Sequence, residues 1–154
     1  MSIFSSMETT GSALTAQRLR MDVVSSNLAN IDTTRAKQVD GEWEPYRRKT
    51  VTLTAQESGP SFSNYLSAAI GRSDQSTGKG VKVTNINEDT ETPFKLIYDP
   101  TDPDANDEGY VQTSNVDSLK EMTNLISATR SYEANVTAFN ANKAMLSKAL
   151  EIGK

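Results

Sequence analysis

METTGSALTAQRLRMDVVSSNLANI, residues 7–31, decides the fold. Met7, Leu14, Met21 and Leu28 recur every seven residues, Ile3, Val24 and Ile31 hold interleaved positions, and Thr10 and Gln17 fill the two remaining slots. A seven-residue apolar repeat draws one narrow stripe along a helix, as a left-handed helix–helix seam requires. The matching stripe stands at the other end of the chain. Met122, Leu125, Tyr132, Val136, Phe139, Leu146 and Leu150 follow the same alternation of threes and fours, interrupted at Thr129 and Lys143. The fold expected is mainly α with a small β insert. Long N- and C-terminal helices form a coiled-coil pair, with short strands and loops between them.

Three segments follow from this pattern. Residues 1–35 carry the N-terminal helix, 36–114 a central β-rich insert with a mobile loop at 56–80, and 115–154 the C-terminal helix. Ser5 and Glu8 have capping-box spacing, so the first helix is expected from Ser5 to about Asn30. Ile31-Asp32-Thr33-Thr34 then reads as its exit, because Asp and Thr compete for local backbone hydrogen bonds. In the insert, Trp43–Thr54, Val81–Ile86 and Phe94–Tyr98 read as strands. Tyr65–Ile70 reads as one helical turn within the Gly- and Ser-rich loop, and Asp99–Gly109 as an acidic turn. The last helix is expected from Asp117 or Ser118, where Ser118 and Glu121 repeat the capping-box spacing, to about Glu151, with Gly153 as its cap.

Composition narrows the function. Only 36% of the 154 residues are hydrophobic, with one tryptophan, and mean hydropathy is -0.54. The core is therefore thin, and the free chain is expected to be marginal and to gain stability from neighbours. A net charge of -4 argues against nucleic acid, and Arg47-Arg48-Lys49 is too short a basic run to reverse that. Cysteine and histidine are both absent, which removes thiol chemistry, disulfides and the commonest general base and metal ligand. No stretch nears 18 consecutive apolar residues, so no membrane span is expected. Met1–Thr10 lack the basic and apolar regions of a cleaved signal peptide.

Site motifs are weak. Asp104, Asn106, Glu108 and Gly109 fall at calcium-loop spacing, but the twelfth position, which needs a bidentate carboxylate, is Asn115. Gly78-Lys79-Gly80 lacks both the Ser or Thr and the upstream glycine of a P-loop. No cofactor, metal site or enzyme activity is expected. More informative are the remaining helix faces. Ser25, Ser26, Asn27, Asn30, Ser127, Ala128, Ser131, Ala134, Asn135, Ala138 and Ala141 are small or carboxamide residues, where a solvated face normally uses Lys and Glu. Such residues let helices approach closely and hydrogen-bond across a contact.

Ser25-Ser26-Asn27-Leu28-Ala29-Asn30-Ile31-Asp32-Thr33-Thr34 resembles the N-terminal signature of bacterial flagellar rod, hook and hook-associated proteins. Asn115-Val116-Asp117, Glu121-Met122, Ile126 and Ala128–Asn135 resemble the C-terminal one. Gly11–Gln17, Tyr46–Lys49, Lys95–Pro100 and Gly109–Val111 narrow the resemblance to proximal-rod members, while 56–80 matches no part of the family pattern. Asp32 and Arg35 depart from the commoner ending of the first signature.

The resemblance implies a structural subunit of the proximal rod, polymerising through its terminal helices into a torque-transmitting shaft. It implies contacts through Met7, Leu14, Met21, Val24, Asn27, Leu28, Asn30, Ile31, Met122, Leu125, Arg130, Tyr132, Asn135, Val136, Phe139, Leu146 and Leu150. It also implies partners: copies of itself, other rod proteins (FlgB, FlgF and FlgG types), a FliE-type adaptor at the rod base and the flagellar type III export apparatus. The expected location is the basal body in the periplasmic space, reached without signal cleavage. The alternative is a secreted or cytosolic helical adaptor that binds a single partner helix.

Overall fold

A computed structural model describes residues 3–39, 41–56, 66, 69–70 and 80–152, with the side chain of residue 3 left out. Helix α1 spans Ile3–Ala29 and helix α2 spans Ser118–Ile152. Among the described residues six strands lie between them: β1 (Lys37–Val39), β2 (Glu42–Glu44), β3 (Lys49–Ala55), β4 (Val81–Glu88), β5 (Lys95–Tyr98) and β6 (Tyr110–Thr113). They form three separate antiparallel pairs, β1–β2, β3–β4 and β5–β6, rather than one sheet.

The helix ends correct two capping expectations. Ser5 is inside α1, where its carbonyl accepts a hydrogen bond from the Thr9 hydroxyl at 2.8 Å, so it is not the N-cap. At α2, Asp117 is the cap: its carboxylate accepts the N–H groups of Leu119 (2.9 Å) and Lys120 (3.3 Å). Glu121 does not close a capping box, because its carboxylate turns inward to Arg48 and Asn27. Gly153 and most of the expected loop at 56–80 lie outside the described residues. Within that loop Leu66 and Ala69 are helical, and the Ile70 N–H donates to the Leu66 carbonyl at 3.0 Å.

The long strand expected over Trp43–Thr54 is broken at Pro45, which cannot donate to a ladder, so it divides into β2 and β3. Strands β1 and β6 carry no sequence signal, because at 3 and 4 residues they are too short to show a period. The β3–β4 ladder carries a register shift after Thr52. The shift explains an irregular sequence: Val81, Val83 and Ile86 cannot share a strand face by alternation alone. With the extra residue, Ile86 pairs with Val51, Val83 with Leu53 and Val81 with Ala55, which restores one common face.

That hairpin runs back along α1. Its start is tied to Asn27 through Lys49, and its far end reaches Ser12, whose Oγ accepts the Val81 N–H at 3.1 Å. Gly80 makes the approach possible. It adopts φ +107°, and a Cβ there would sit 2.1 Å from the Ser12 Oγ.

Helices α1 and α2 pack side by side and antiparallel. Asn27 meets Glu121 at 2.9 Å, and Met21 Sδ accepts from the Thr129 hydroxyl at 3.5 Å, so moving down one helix moves up the other. The deepest positions are Ala16, Val23, Val24 and Asn27 on α1 and Glu121 and Ala128 on α2. Ala16 lies on the side of α1 that faces Val81 and Val83 of β4. Gln17, one of the polar slots in the repeat, has a buried Oε1 without a hydrogen-bond partner among the described residues.

Candidate functional site

Two kinds of site stand out: a buried polar node that locks the helices to the β segment, and a helix face left open. The node starts at Asn27, 0% exposed. Its amide donates to the Lys49 carbonyl (2.8 Å) and its oxygen accepts the Lys49 N–H (2.9 Å), so the side chain pairs with β3 as a neighbouring strand would. The Tyr46 hydroxyl donates to the same oxygen at 3.1 Å. The second amide hydrogen goes to Glu121 Oε2 at 2.9 Å. All four hydrogen-bonding positions of the carboxamide are filled inside one chain.

Glu121, also 0% exposed, receives Arg48 through Nε (2.9 Å) and a terminal guanidinium nitrogen (2.8 Å), and Asn124 at 3.2 Å. A buried carboxylate is tolerable only when paired and hydrogen-bonded in this way. Asn115 extends the node: its oxygen accepts the Arg48 N–H at 2.7 Å, and its amide donates to the carbonyls of Asp89 and Thr92, each at 3.0 Å. Four stretches distant in sequence, around Asn27, Tyr46–Lys49, Asp89–Thr92 and Asn115–Asn124, thus meet at one point.

Three carboxyls, Asp89 beside the node and Asp99 and Asp104 in the turn after β5, are held below the usual Asp range. At Asp89 the main cause is the Thr92 N–H, followed by the Thr92 hydroxyl. At Asp99 it is the Thr101 hydroxyl, then its N–H. At Asp104 it is the Arg35 guanidinium, then the Thr34 hydroxyl. A lowered folded pKa means the unfolded chain binds protons first as pH falls. Stability supplied by these groups is therefore complete above the ordinary Asp value of about 3.9 and is lost below it. Urea midpoints are expected to be flat from pH 7 to about pH 5 and to fall progressively below about pH 4.

Asp104 also settles the geometry of the calcium-like loop. Its two oxygens are taken by Arg35 and Thr34, and the Asn106 oxygen accepts the N–H groups of Glu108 (3.1 Å) and Tyr110 (2.8 Å). Asp104 therefore ties the turn to the segment after α1, and Asn106 closes the turn on itself.

The contact residues expected from sequence divide between two surroundings. Met7, Leu14, Met21, Leu28, Asn30 and Ile31 on and just after α1 are half-buried, as are Leu125, Tyr132, Asn135, Val136, Phe139 and Leu146 on α2. Val24 and Asn27 are buried. Met122, Arg130 and Leu150 are exposed and so lie outside the α1–α2 seam of a single chain, on surface open to other contacts. Met122 follows Glu121, which occupies the seam, and one residue turns a helix by about 100°. Leu150 lies past the part of α2 that α1 accompanies. Asn30 and Asn135 spend their amides locally, on the Ser26 and Ser131 carbonyls at 2.9 Å and 2.8 Å.

Sequence pattern alone does not mark Tyr46, Arg48, Asn115 and Glu121 as site residues, because their partners lie far along the chain. One signal was available: Glu121 and Ala128 stand seven apart on the buried stripe, where a carboxylate requires a partner.

The open face is on α2. Leu119 is 76% exposed, Met122 50%, Ile126 57% and Ile152 85%. Among the described residues no helix is long and apolar enough to cross a membrane.

Comparison with known proteins joins these two features. Residues 7–37 match the family model described as flagella basal body rod protein. Residues 107–152 match the one described as flagellar basal body rod FlgEFG protein C-terminal. The first range contains Asn27, and the second contains Asn115, Glu121 and the open face. Over the full length of both chains the sequence is 66% identical to the flagellar basal-body rod protein FlgC of Bacillus subtilis. It is 41% identical to that of Borreliella burgdorferi, over 99% of this chain and 98% of the relative. It is 41% identical to that of Escherichia coli O157:H7, over all of both. These likenesses do not favour the single-partner adaptor. The chain belongs to the FlgC family of flagellar basal-body rod proteins.

Proposed function

We propose that this chain is a structural subunit of the flagellar basal-body rod, with no catalytic role, and that it polymerises through its terminal helices. The observation that carries the proposal is the run of large apolar side chains, Leu119, Met122 and Ile126, exposed on a helix within the family-matched segment. A contiguous apolar face costs solubility in a lone chain and is ordinarily covered by a partner. In this reading α1 and α2 pair as a coiled coil through Met7, Leu14, Met21 and Leu28 against Leu125, Tyr132, Phe139 and Leu146. The outward face of α2, with Arg130, then meets neighbouring helices.

Rigid transmission of torque follows from many such contacts acting together. The neighbours are further copies and other rod proteins of the FlgB, FlgF and FlgG types, with a FliE-type adaptor at the base. The subunit reaches the periplasmic rod through the flagellar export apparatus without signal cleavage.

Ile126→Arg tests the proposal. An exposed substitution is expected to change monomer stability by no more than about 0.5 kcal/mol, yet a charge buried in a helix contact should block assembly. The expected result is a folded, exported subunit and loss of swimming in a strain carrying only this variant. Normal rods and full motility would contradict it.

A further inference from the structure

One face of the β5–β6 hairpin is uncovered among the described residues. On β6, Tyr110 and Gln112 face outward, while Val111 between them is buried. Across the ladder, Tyr98 and Leu96 share that outward face. Tyr98 meets Tyr110 edge-on, with ring centres 5.3 Å apart, which holds the Tyr110 ring in one attitude.

Where this face approaches β2 there is a hollow of about 290 Å³. Two aromatic rings line it, Tyr110 and Trp43, the latter 55% exposed. Asn106, Gln112 and Glu42 bring polar groups to the same hollow. Asn106 spends its oxygen on the Glu108 and Tyr110 N–H groups, and its amide hydrogens have no partner among the described residues. The same holds, among those residues, for the Gln112 amide, the Glu42 carboxylate and the Trp43 indole N–H. Arg35 and Asp104, the other two charges in the lining, are paired with each other.

Aromatic rings beside open donors and acceptors in one concave site suit a particular ligand chemistry. A pyranose has a face of C–H groups that an aromatic ring shields from water, and a rim of hydroxyls. Each hydroxyl both donates and accepts, so one sugar unit can answer a carboxamide, a carboxylate and an indole N–H together. A protein partner fits less well. The centre of a protein contact is ordinarily poor in charged residues, and here Glu42, Asp104 and Arg35 would all lose water. Charge also selects among sugars. Arg35 is already met by Asp104, and Glu42 repels an anionic chain.

We infer that this hollow binds a neutral glycan, with a sugar ring against Trp43 and Tyr110 and its hydroxyls on Gln112, Asn106 and Glu42. The site is distinct from the helix seam and from the buried node. The inference does not depend on the subunit reading, so either can fail without the other.

The sequence has a single tryptophan, so Trp43 emission reports this hollow without background. The purified full chain is titrated with cellotetraose and, separately, with the tetramer of N-acetylglucosamine. A saturable change in emission is expected with at least one of them, half complete at roughly millimolar concentration. Tyr110→Ala and Gln112→Ala are each expected to weaken binding roughly tenfold. Both positions are exposed, so circular dichroism of the variants should match the parent.

Emission that neither sugar alters, at concentrations well beyond that range, overturns the inference. So does an equal change on adding glycerol, or an undiminished response in both variants. Emission that shifts only as the chain associates also overturns it, because the hollow is then a protein contact.

Discussion

Arg48→Met is expected to destabilise the folded chain by about 3–5 kcal/mol, measured by urea denaturation. The size comes from what is left behind, not from the lost attraction alone. Glu121 is 0% exposed, and two of its four contacts come from the Arg48 side chain. Methionine preserves much of the aliphatic stem but leaves a buried carboxylate without its counter-charge. A second change should recover much of the loss. In Arg48→Met/Glu121→Leu no charge remains to be solvated, and joint apolar replacement of a buried pair is often close to neutral. A double variant as unstable as the sum of the two single ones would show that the side chains act independently, contrary to the node described above.

Asn27→Asp is the second large effect, in the same range of about 3–5 kcal/mol. The change is nearly isosteric, so it tests chemistry rather than packing. The amide that donates to the Lys49 carbonyl and to Glu121 becomes an oxygen, and both acceptors lose their donor. The new carboxylate would also stand 2.9 Å from the Glu121 carboxylate in a site closed to water. Asn27→Ala removes the same bonds without adding charge, so it should fall short of the Asp variant. If Asp and Ala cost the same, the repulsion is absent and the closeness of Asn27 to Glu121 in solution is in doubt.

The pairing of the chain ends was legible because a seven-residue repeat extends over many turns and survives two polar interruptions in each helix. The contents of the seam were harder to read. Met7, Leu14, Met21 and Leu28 dominate the pattern by size, yet the deepest positions are Ala16, Val23, Val24 and Asn27. Of these, at least Ala16 is enclosed by the β segment, beside Val81 and Val83, a contact that a helical repeat does not register. Glu121 showed the limit most clearly. Its spacing from Ser118 fits a local cap, but a local motif cannot register a guanidinium 73 residues away.

Pro45 marked a break in the strand that alternation alone concealed. Asn27 was identified as a contact residue, and the structure fills its contacts within the chain, through Lys49, Tyr46 and Glu121. Its position at the end of α1 makes it the joint between helices and β segment, so packing geometry set in the helices is passed on to the strands.

These features give the chain a division of labour. The node fixes where the β segment sits on the helix pair, and the helix pair presents an apolar face that the described residues leave uncovered. Rigidity of an assembled shaft depends on both: a soft joint would let each subunit flex, and an open face that found no partner would leave nothing to stack.

Because the sequence contains no cysteine, one introduced thiol can be read without background. Ile126→Cys should react rapidly with a maleimide in the free subunit, where the native side chain is 57% exposed. In isolated basal bodies the same thiol should be protected until the rod is dissociated. Equal labelling in the free subunit and in intact rods would contradict the proposal that neighbouring helices cover this face.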